Sequence, residues 1–361
     1  MLVPGLGNQR SKMLIQKSGA NSAEEIFEMK PSQLMKVDGI GDQVIKNLLA
    51  FKNWHEADRI LERTEKCNAS LLSIDDDAYP ELLKHIYDPP VLLWYKGDRD
   101  VFRTNGVAVV GTRNPGKYGL KQTERWGAAL VNYGLTINSG LAYGVDTKAH
   151  QTALKSGGKT IAILGSGIDV IYPSKNTSLV KEIIELGGAV ASEYPPGTAP
   201  DAVNFPGRNR IVSGMSHGIL VVESGIKGGS MITARYALDQ NREVFVVPHP
   251  LNHVRGEGCN YLIRTGQGKL VQSIDHILEE ISVETIDSPS SDMGKKPQQW
   301  TLLELTDSEK KLCSIFNDEP IHIDKISELV GEPVYKLHSV MLELEMKGAI
   351  KQRAGKYFEL C

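Results

Sequence analysis

The stretch Val107–Gly119, "VAVVGTRNPGKYG", changes character at its fifth residue. Four apolar residues, three of them β-branched, have the pattern of a strand buried on both faces, and the glycine after them opens a loop that carries Arg113 and Lys117. The same pattern recurs downstream in "LTINSG" from Leu135, "TIAILG" from Thr160, "AVASEY" from Ala189, "ILVVES" from Ile219 and "VFVVP" from Val244. Helix-like stretches separate these runs. Short β-rich segments alternating with helices predict an α/β fold, a Rossmann-like, doubly wound and mostly parallel sheet.

In such a sheet, ligands bind beyond the carboxyl ends of the strands, where the strand-to-helix loops gather. Those loops hold the unusual residues of this chain: Gly111, Thr112, Arg113 and Lys117 after the first run, Ser139, Gly140 and Tyr143 after the second, and Gly165, Ser166, Lys175 and Asn176 after the third. The fourth leads into "NFPGRNRIVSG", with Phe205, Arg208, Asn209 and Arg210. Glycines allow close backbone approach, helix N-termini offer N–H donors, cations answer phosphates and rings answer bases. All of these residues are therefore candidate contacts to single-stranded nucleic acid, with Tyr118 and Tyr172 as further rings. Two arginines in a loop framed by glycine and proline have a second explanation, an internal ion pair with Glu193 or Glu223. Several neighbouring loops share the phosphate-binding chemistry, which favours the first.

Competing uses of the same edge have weaker support. "GSGIDV" lacks the third glycine of a dinucleotide fingerprint, and no GxxxxGK[ST] loop is present. "ESGIKGGSMITA" resembles the glycine-rich loop of nucleotide-processing phosphoribohydrolases, so an enzyme of that class is the alternative function, but no acid follows where that pattern needs one. Asp146 and His150 stand four apart on one helical face without a third ligand at recognisable spacing, which reads as capping and packing. The expectation is a binding protein with no catalytic residue, metal or cofactor.

The ends of the chain differ from the middle. "VPGLGNQRSKMLIQ" from Val3 aligns with "VDGIGDQVIKNLLA" from Val37, a duplicated Gly-x-Gly turn opening an amphipathic helix, which predicts a helix-hairpin-helix or SAM-like domain over 1–66. The sheet domain occupies 67–282, and "SPSSDMGKKPQQ" lies in a polar linker at 283–299. Three helical segments and a Gly-tipped hairpin then give the order of a winged helix over 300–361. That domain carries 8 Lys/Arg against 11 acids, and its recognition helix offers Glu332, Lys336, His338, Glu343 and Glu345. A phosphate-facing module is basic, so this surface suits a protein contact better.

Whole-chain totals agree. With 41% hydrophobic and 24% charged residues and a formal net charge of −3, the composition is that of a globular protein, and any polyanion site must be a local patch. Four cysteines without CxxC spacing and the lack of an apolar run of about 18 residues point to a reducing, cytoplasmic setting.

Taken together, "GTRNP", "SGLAYGVDTKAH", "AILGSGIDVIYP", "SEYPPG", "FPGRNRIVSGMS", "GGSMITARYAL" and "GCNYLI" resemble the DNA-processing protein A (DprA, or Smf) family in consistent order. The resemblance implies a single-stranded-DNA-binding, dimeric, non-enzymatic protein that protects incoming DNA and loads the strand-exchange recombinase during natural transformation. Carried over by motif, Arg113 corresponds to the basic residue of the family's Gly-Ser-Arg signature, and Lys175 and Asn176 follow its Tyr-Pro turn. Thr112 stands where serine is usual, Tyr143 where arginine is usual, and His249 where a glycine is usual.

Overall fold

The structure, a computed structural model, describes residues 2–20, 22–281, 305–313, 315–316, 321–332, 334–353 and 357–360. The linker expected at 283–299 and the glycine tip of the C-terminal hairpin lie outside the described residues. The chain divides into two compact units, Met1–Ile286 and Asp287–Cys361.

The first unit opens with helices α1 (Asn8–Lys17), α2 (Ala23–Glu28), α3 (Pro31–Leu34), α4 (Asp42–Leu49) and α5 (Trp54–Lys66). Both repeated turns are present. Gly5 and Gly39 take φ of +82° and +81°, which only glycine adopts without strain, and Gly7 and Gly41 cap α1 and α4. The copies brace one another: Asn47 on α4 donates to the Pro4 carbonyl at 2.8 Å, and Val44 closes over Gly5. Val3, Leu14, Ile26, Leu34, Val37, Ile45 and Leu48 form their shared core.

The rest of this unit is one nine-stranded sheet: β1 (Ser70–Ser73), β2 (Leu92–Gly97), β3 (Gly106–Val110), β4 (Thr136–Ser139), β5 (Thr160–Leu164), β6 (Ala189–Ser192), β7 (Gly218–Val221), β8 (Glu243–Val246) and β9 (Lys269–Leu270). Their spatial order is β1-β2-β6-β5-β4-β3-β7-β8-β9. From β6 to β9 every pairing is parallel, with registers such as Val107↔Ile137 and Val110↔Val221, whereas β2 runs antiparallel to β6 and to β1. The six runs read as strands are β3 to β8. The antiparallel edge and β9 are additions: β1 buries one residue of four and β9 neither of two, while β2 buries Leu93, Trp94 and Tyr95 but ends in Lys96 and Gly97.

Helices cover both faces. On one side, α6 (Glu81–Lys84), α10 (Asn204–Gly214), α11 (Gly229–Asp239) and α12 (Glu257–Arg264) pack on Ala108, Val110, Ile163, Ile219, Val221 and Val246. On the other, α7 (Lys117–Asn132), α8 (Val145–Lys155) and α13 (Asp275–Leu278) cover Val107, Val109, Ile137, Leu220 and Phe245, while α9 (Thr177–Glu185) covers Ala162, Leu164 and Val190. β3 connects onward to β4, and β7 to β8, in opposite directions across the sheet. The topological switch point therefore lies between β3 and β7.

One expectation is corrected. "NFPGRNRIVSG" is not a loop but the helix α10, and Phe-Pro-Gly forms its first turn, where proline costs no hydrogen bond because those N–H groups have no intrahelical acceptor.

In the second unit, α14 (Asp307–Cys313), α15 (Ile323–Val330) and α16 (Val334–Met346) accompany a small antiparallel sheet of β10 (Ile321–His322), β11 (Ile350–Arg353) and β12 (Tyr357–Leu360) in the order β10-β12-β11. Thr306 and Glu309 cap α14 reciprocally, and Lys347 pairs with the buried Glu309 at 2.7 Å.

Candidate nucleic-acid interface

Above the switch point lies a crevice of about 660 Å³. Its floor is the loop after β3, its sides are the β4–α8 loop and the first turn of α11, and its roof is α10. The convergence follows from topology: parallel strands deliver all their carboxyl ends to one edge, and the glycines there let backbones come close. Of the residues singled out in the sequence, Gly111, Thr112, Arg113, Gly140, Phe205, Arg208 and Asn209 line this space. Tyr143 joins Arg113, Gly140, Tyr172, Phe205 and Arg208 around a smaller adjoining recess.

Arg208 is the buried centre of the group. Its Nη1 donates to the carbonyls of Gly140 and Ile163, and its Nε to Asn209 Oδ1 at 3.2 Å. A Cβ on Gly140 would stand 2.6 Å from the guanidinium, so glycine is required where α10 meets the β4–α8 loop. Burial pulls Arg208 down to about 10, partly opposed by the nearby Asp146, so it remains a cation at neutral pH. Asp146 accepts from the backbone N–H groups of Gly140 and Ala142 at 3.2 and 3.3 Å, and burial raises its carboxyl above the ordinary range against the pull of Arg208. The crevice thus contains a cation fixed in place, with the Asp146 carboxyl also in its lining.

Arg113 is the exposed counterpart. Its guanidinium lies over the Phe205 ring at 5.8 Å from the centroid, Arg208 approaches the same ring at 6.0 Å, and Tyr172 packs beside it at 5.6 Å. Gly165 explains how Phe205 gets there, because a Cβ on Gly165 would meet the ring at 2.8 Å. Two guanidinium groups, two or three rings and the N–H groups that open the 11-residue helix α11 therefore share one concave surface.

Arg210 faces elsewhere. In a helix, residues two apart point about 200° from one another, so α10 cannot present both arginines to one ligand. Arg210 forms a bidentate pair with Glu193, Nη1 to Oε2 at 2.8 Å and Nη2 to Oε1 at 2.5 Å, and it lies 3.3 Å from Asp88. Asn8 on α1 donates to the same Glu193 at 2.7 Å, tying the helical segment to the end of β6. The internal pairing weighed for these arginines thus accounts for Arg210, and its placement among phosphate contacts is withdrawn.

Other expected contacts are structural in placement. Ser139 Oγ donates to the Val109 carbonyl and Ser166 Oγ to that of Val170, both buried, and Asn176 Nδ2 stitches the Leu141 carbonyl to Thr147 Oγ1. Lys117, the first residue of α7, and Lys175, in a short 3-10 turn, are exposed near the edge but do not line the crevice. Tyr118 points to the Pro248 carbonyl and the edge of His249. His150 shares a 2.7 Å hydrogen bond with Thr160, and burial holds it down to about 3, so it stays neutral. Sequence reasoning missed a second gathering, Glu223, His249 and His253, at the ends of β7 and β8. His249 and His253 stand four apart on the loop after β8, but Glu223 comes from the loop after β7, so the trio carries no complete linear motif.

Comparisons with known proteins identify relatives of the chain. Residues 70–282 match the family model of DNA recombination-mediator protein A, and residues 296–356 match a DprA winged helix domain. Protein Smf of Synechocystis sp. is 33% identical over 93% of this chain and 91% of its own. Among solved structures, DNA processing protein A from Streptococcus pneumoniae superposes with a TM-score of 0.65 at 35% identity, covering 78% of this chain and 95% of that one. DNA processing protein A from Helicobacter pylori, whose structure describes its single-stranded DNA binding mode, gives a TM-score of 0.53 at 32% identity over 58% of this chain and 94% of that one.

Proposed function

Because the chain belongs to the DNA recombination-mediator protein A family, we propose that its crevice binds single-stranded DNA, protecting incoming strands and serving strand-exchange recombinase loading in natural transformation. The observation that carries this reading is the grouping of Arg113, Arg208, Phe205, Tyr172 and the first turn of α11 on one surface. Phosphates meet the cations and N–H groups, and bases stack on the rings, each stacked base contributing about 1 to 3 kcal/mol. Neither contact reads base edges, so sequence preference is weak. Duplex DNA keeps its bases stacked on one another and binds less well.

Gly111, Thr112, Arg113, Gly140, Tyr143, Phe205, Arg208 and Asn209 form the contact set, with Gly165 shaping the seat of Phe205. Lys117 and Lys175 extend the basic path along the sheet edge. A homodimer would present two such crevices to one strand, and linked sites gain from effective concentration. Residues 1–66 and 300–361 act as accessory domains, the acidic winged helix as a protein contact. The setting is the cytoplasm, and the protein works by binding rather than by catalysis. Titration of fluorescent oligonucleotides tests the reading: tight single-stranded binding that oligo(dT) and mixed sequences share, and that duplex of equal length competes for poorly, is expected. Equal affinity for duplex, or none for either, would remove it.

A further inference from the structure

At the carboxyl ends of β7 and β8, three buried or half-buried side chains bring polar atoms close together, with the His249 and His253 rings parallel and 5.3 Å apart at their centroids. Glu223 is fully buried, His249 is 7% exposed and His253 is half-buried. Glu223 Oε1 accepts from the Gly116 N–H at the start of α7, at 2.8 Å, which leaves Oε2 without a hydrogen-bond partner. His249 Nε2 lies 2.8 Å from the Val222 carbonyl, which can only accept, so that nitrogen carries the proton and Nδ1 holds a free lone pair, also unpartnered. His253 Nε2 is the third unpartnered atom, 3.8 Å from Glu223 Oε2. One ligand atom from each residue lies within 4.8 Å of the others.

We propose that Glu223, His249 and His253 form a three-ligand site for a divalent transition-metal ion of the zinc class. A buried donor or acceptor left unmade is destabilising, and one remedy serves three such atoms this close together, a cation that accepts electron pairs from a carboxylate and two imidazoles. The His249 tautomer fits, since a ligating histidine commonly donates its other ring N–H to a backbone carbonyl. Zinc bonds of about 2.0 to 2.1 Å place tetrahedral ligands roughly 3.3 Å apart, so the three ligand atoms, here within 4.8 Å of one another, draw together on binding. Two imidazoles and a carboxylate leave the fourth position to water. A simple ion pair between protonated His253 and Glu223 would leave His249 Nδ1 buried and unmade. Arg255 also reaches this loop, its Nη1 3.6 Å from where a Cβ on Gly116 would stand, and is the group able to replace the ion as partner to Glu223.

The test uses the full-length chain, stripped with chelator and kept reduced, titrated with zinc against a chromophoric chelator, then with cobalt(II) as a spectroscopic probe. Wild type takes up one zinc per chain at this site, its melting midpoint rises with zinc, and cobalt gives the absorption of a tetrahedral nitrogen and oxygen site. His253→Ala and Glu223→Gln each weaken uptake about tenfold or more and abolish the midpoint rise. Glu223→Gln retains the acceptor for Gly116, so its folding serves as the control. No uptake by wild type, uptake unchanged in both variants, or a sulfur-to-cobalt charge-transfer band would overturn the proposal. So would a metal-independent wild type whose midpoint falls on Arg255→Met, which would assign Glu223 to the arginine.

Discussion

At the scale of single residues, the three arginines of the crevice region separate into three kinds. Arg113 is exposed and touches only a ring, so Arg113→Ala leaves the melting midpoint unchanged and lowers single-stranded affinity equally for all sequences. Arg210→Ala does the reverse. It leaves Glu193, whose side chain is 10% exposed, with the neutral Asn8 amide in place of its charged partner, and the loss of one partner of a buried pair costs about 3 to 5 kcal/mol while the salt dependence of DNA binding stays put. Arg208→Ala shows both effects, since its guanidinium ties α10 to two strand-end carbonyls and faces the crevice. Thermal melts paired with oligonucleotide titrations of the three variants check the sorting. His150 supplies a pH prediction. Its native value is about 3 against an ordinary 6.5, so below pH 6.5 the unfolded chain takes up a proton that the native state refuses. That contribution is intact above pH 6.5 and is lost at up to about 1.4 kcal/mol per pH unit as the pH falls toward 3. Melting midpoints between pH 7 and 5 should therefore fall more steeply in wild type than in His150→Gln.

Elements explain which parts of this fold are legible. β3 to β8 are plain in the sequence because parallel strands covered on both faces read as apolar, β-rich runs, as "VAVV" and "IAIL" do, although β4 also buries Thr136, Asn138 and Ser139 on hydrogen bonds. The pair β1 and β2 is harder to see: three of the four residues of "SLLS" are exposed, and an antiparallel edge needs only one covered face. α10 misleads for a local reason. Phe-Pro-Gly has the composition of a turn, and only packing on the sheet shows that it is a first helical turn, which then forces Arg208 and Arg210 apart. The strand-end loops of the candidate site are likewise legible from their glycines and cations, whereas the internal partners of Ser139, Ser166 and Asn176 are tertiary and leave no pattern. Gly165→Ala tests how α10 is seated. The added methyl would meet the Phe205 ring at 2.8 Å, so the ring must move off the end of β5. Oligonucleotide affinity should drop severalfold while far-ultraviolet circular dichroism stays native; unchanged affinity would show that the position of Phe205 does not matter.

On the scale of the whole molecule, the chain is two compact units, and every residue assigned to the crevice belongs to the first. Truncation after Ile286 should leave single-stranded affinity within about twofold of the full chain, because the removed segment is acidic and adds no phosphate contact. A large loss would make the winged helix part of the DNA site. Whether phosphates lie across the crevice and are met by Arg113 is decided by the salt dependence of single-stranded binding. Affinity for a mixed-sequence oligonucleotide is measured from low to moderate salt for wild type and Arg113→Ala. Each released counterion contributes about −0.7 to the logarithmic slope on a single strand, so the account predicts a clearly negative wild-type slope that becomes shallower by about that amount in the variant. A wild-type slope near zero, or identical slopes for the two proteins, would contradict it.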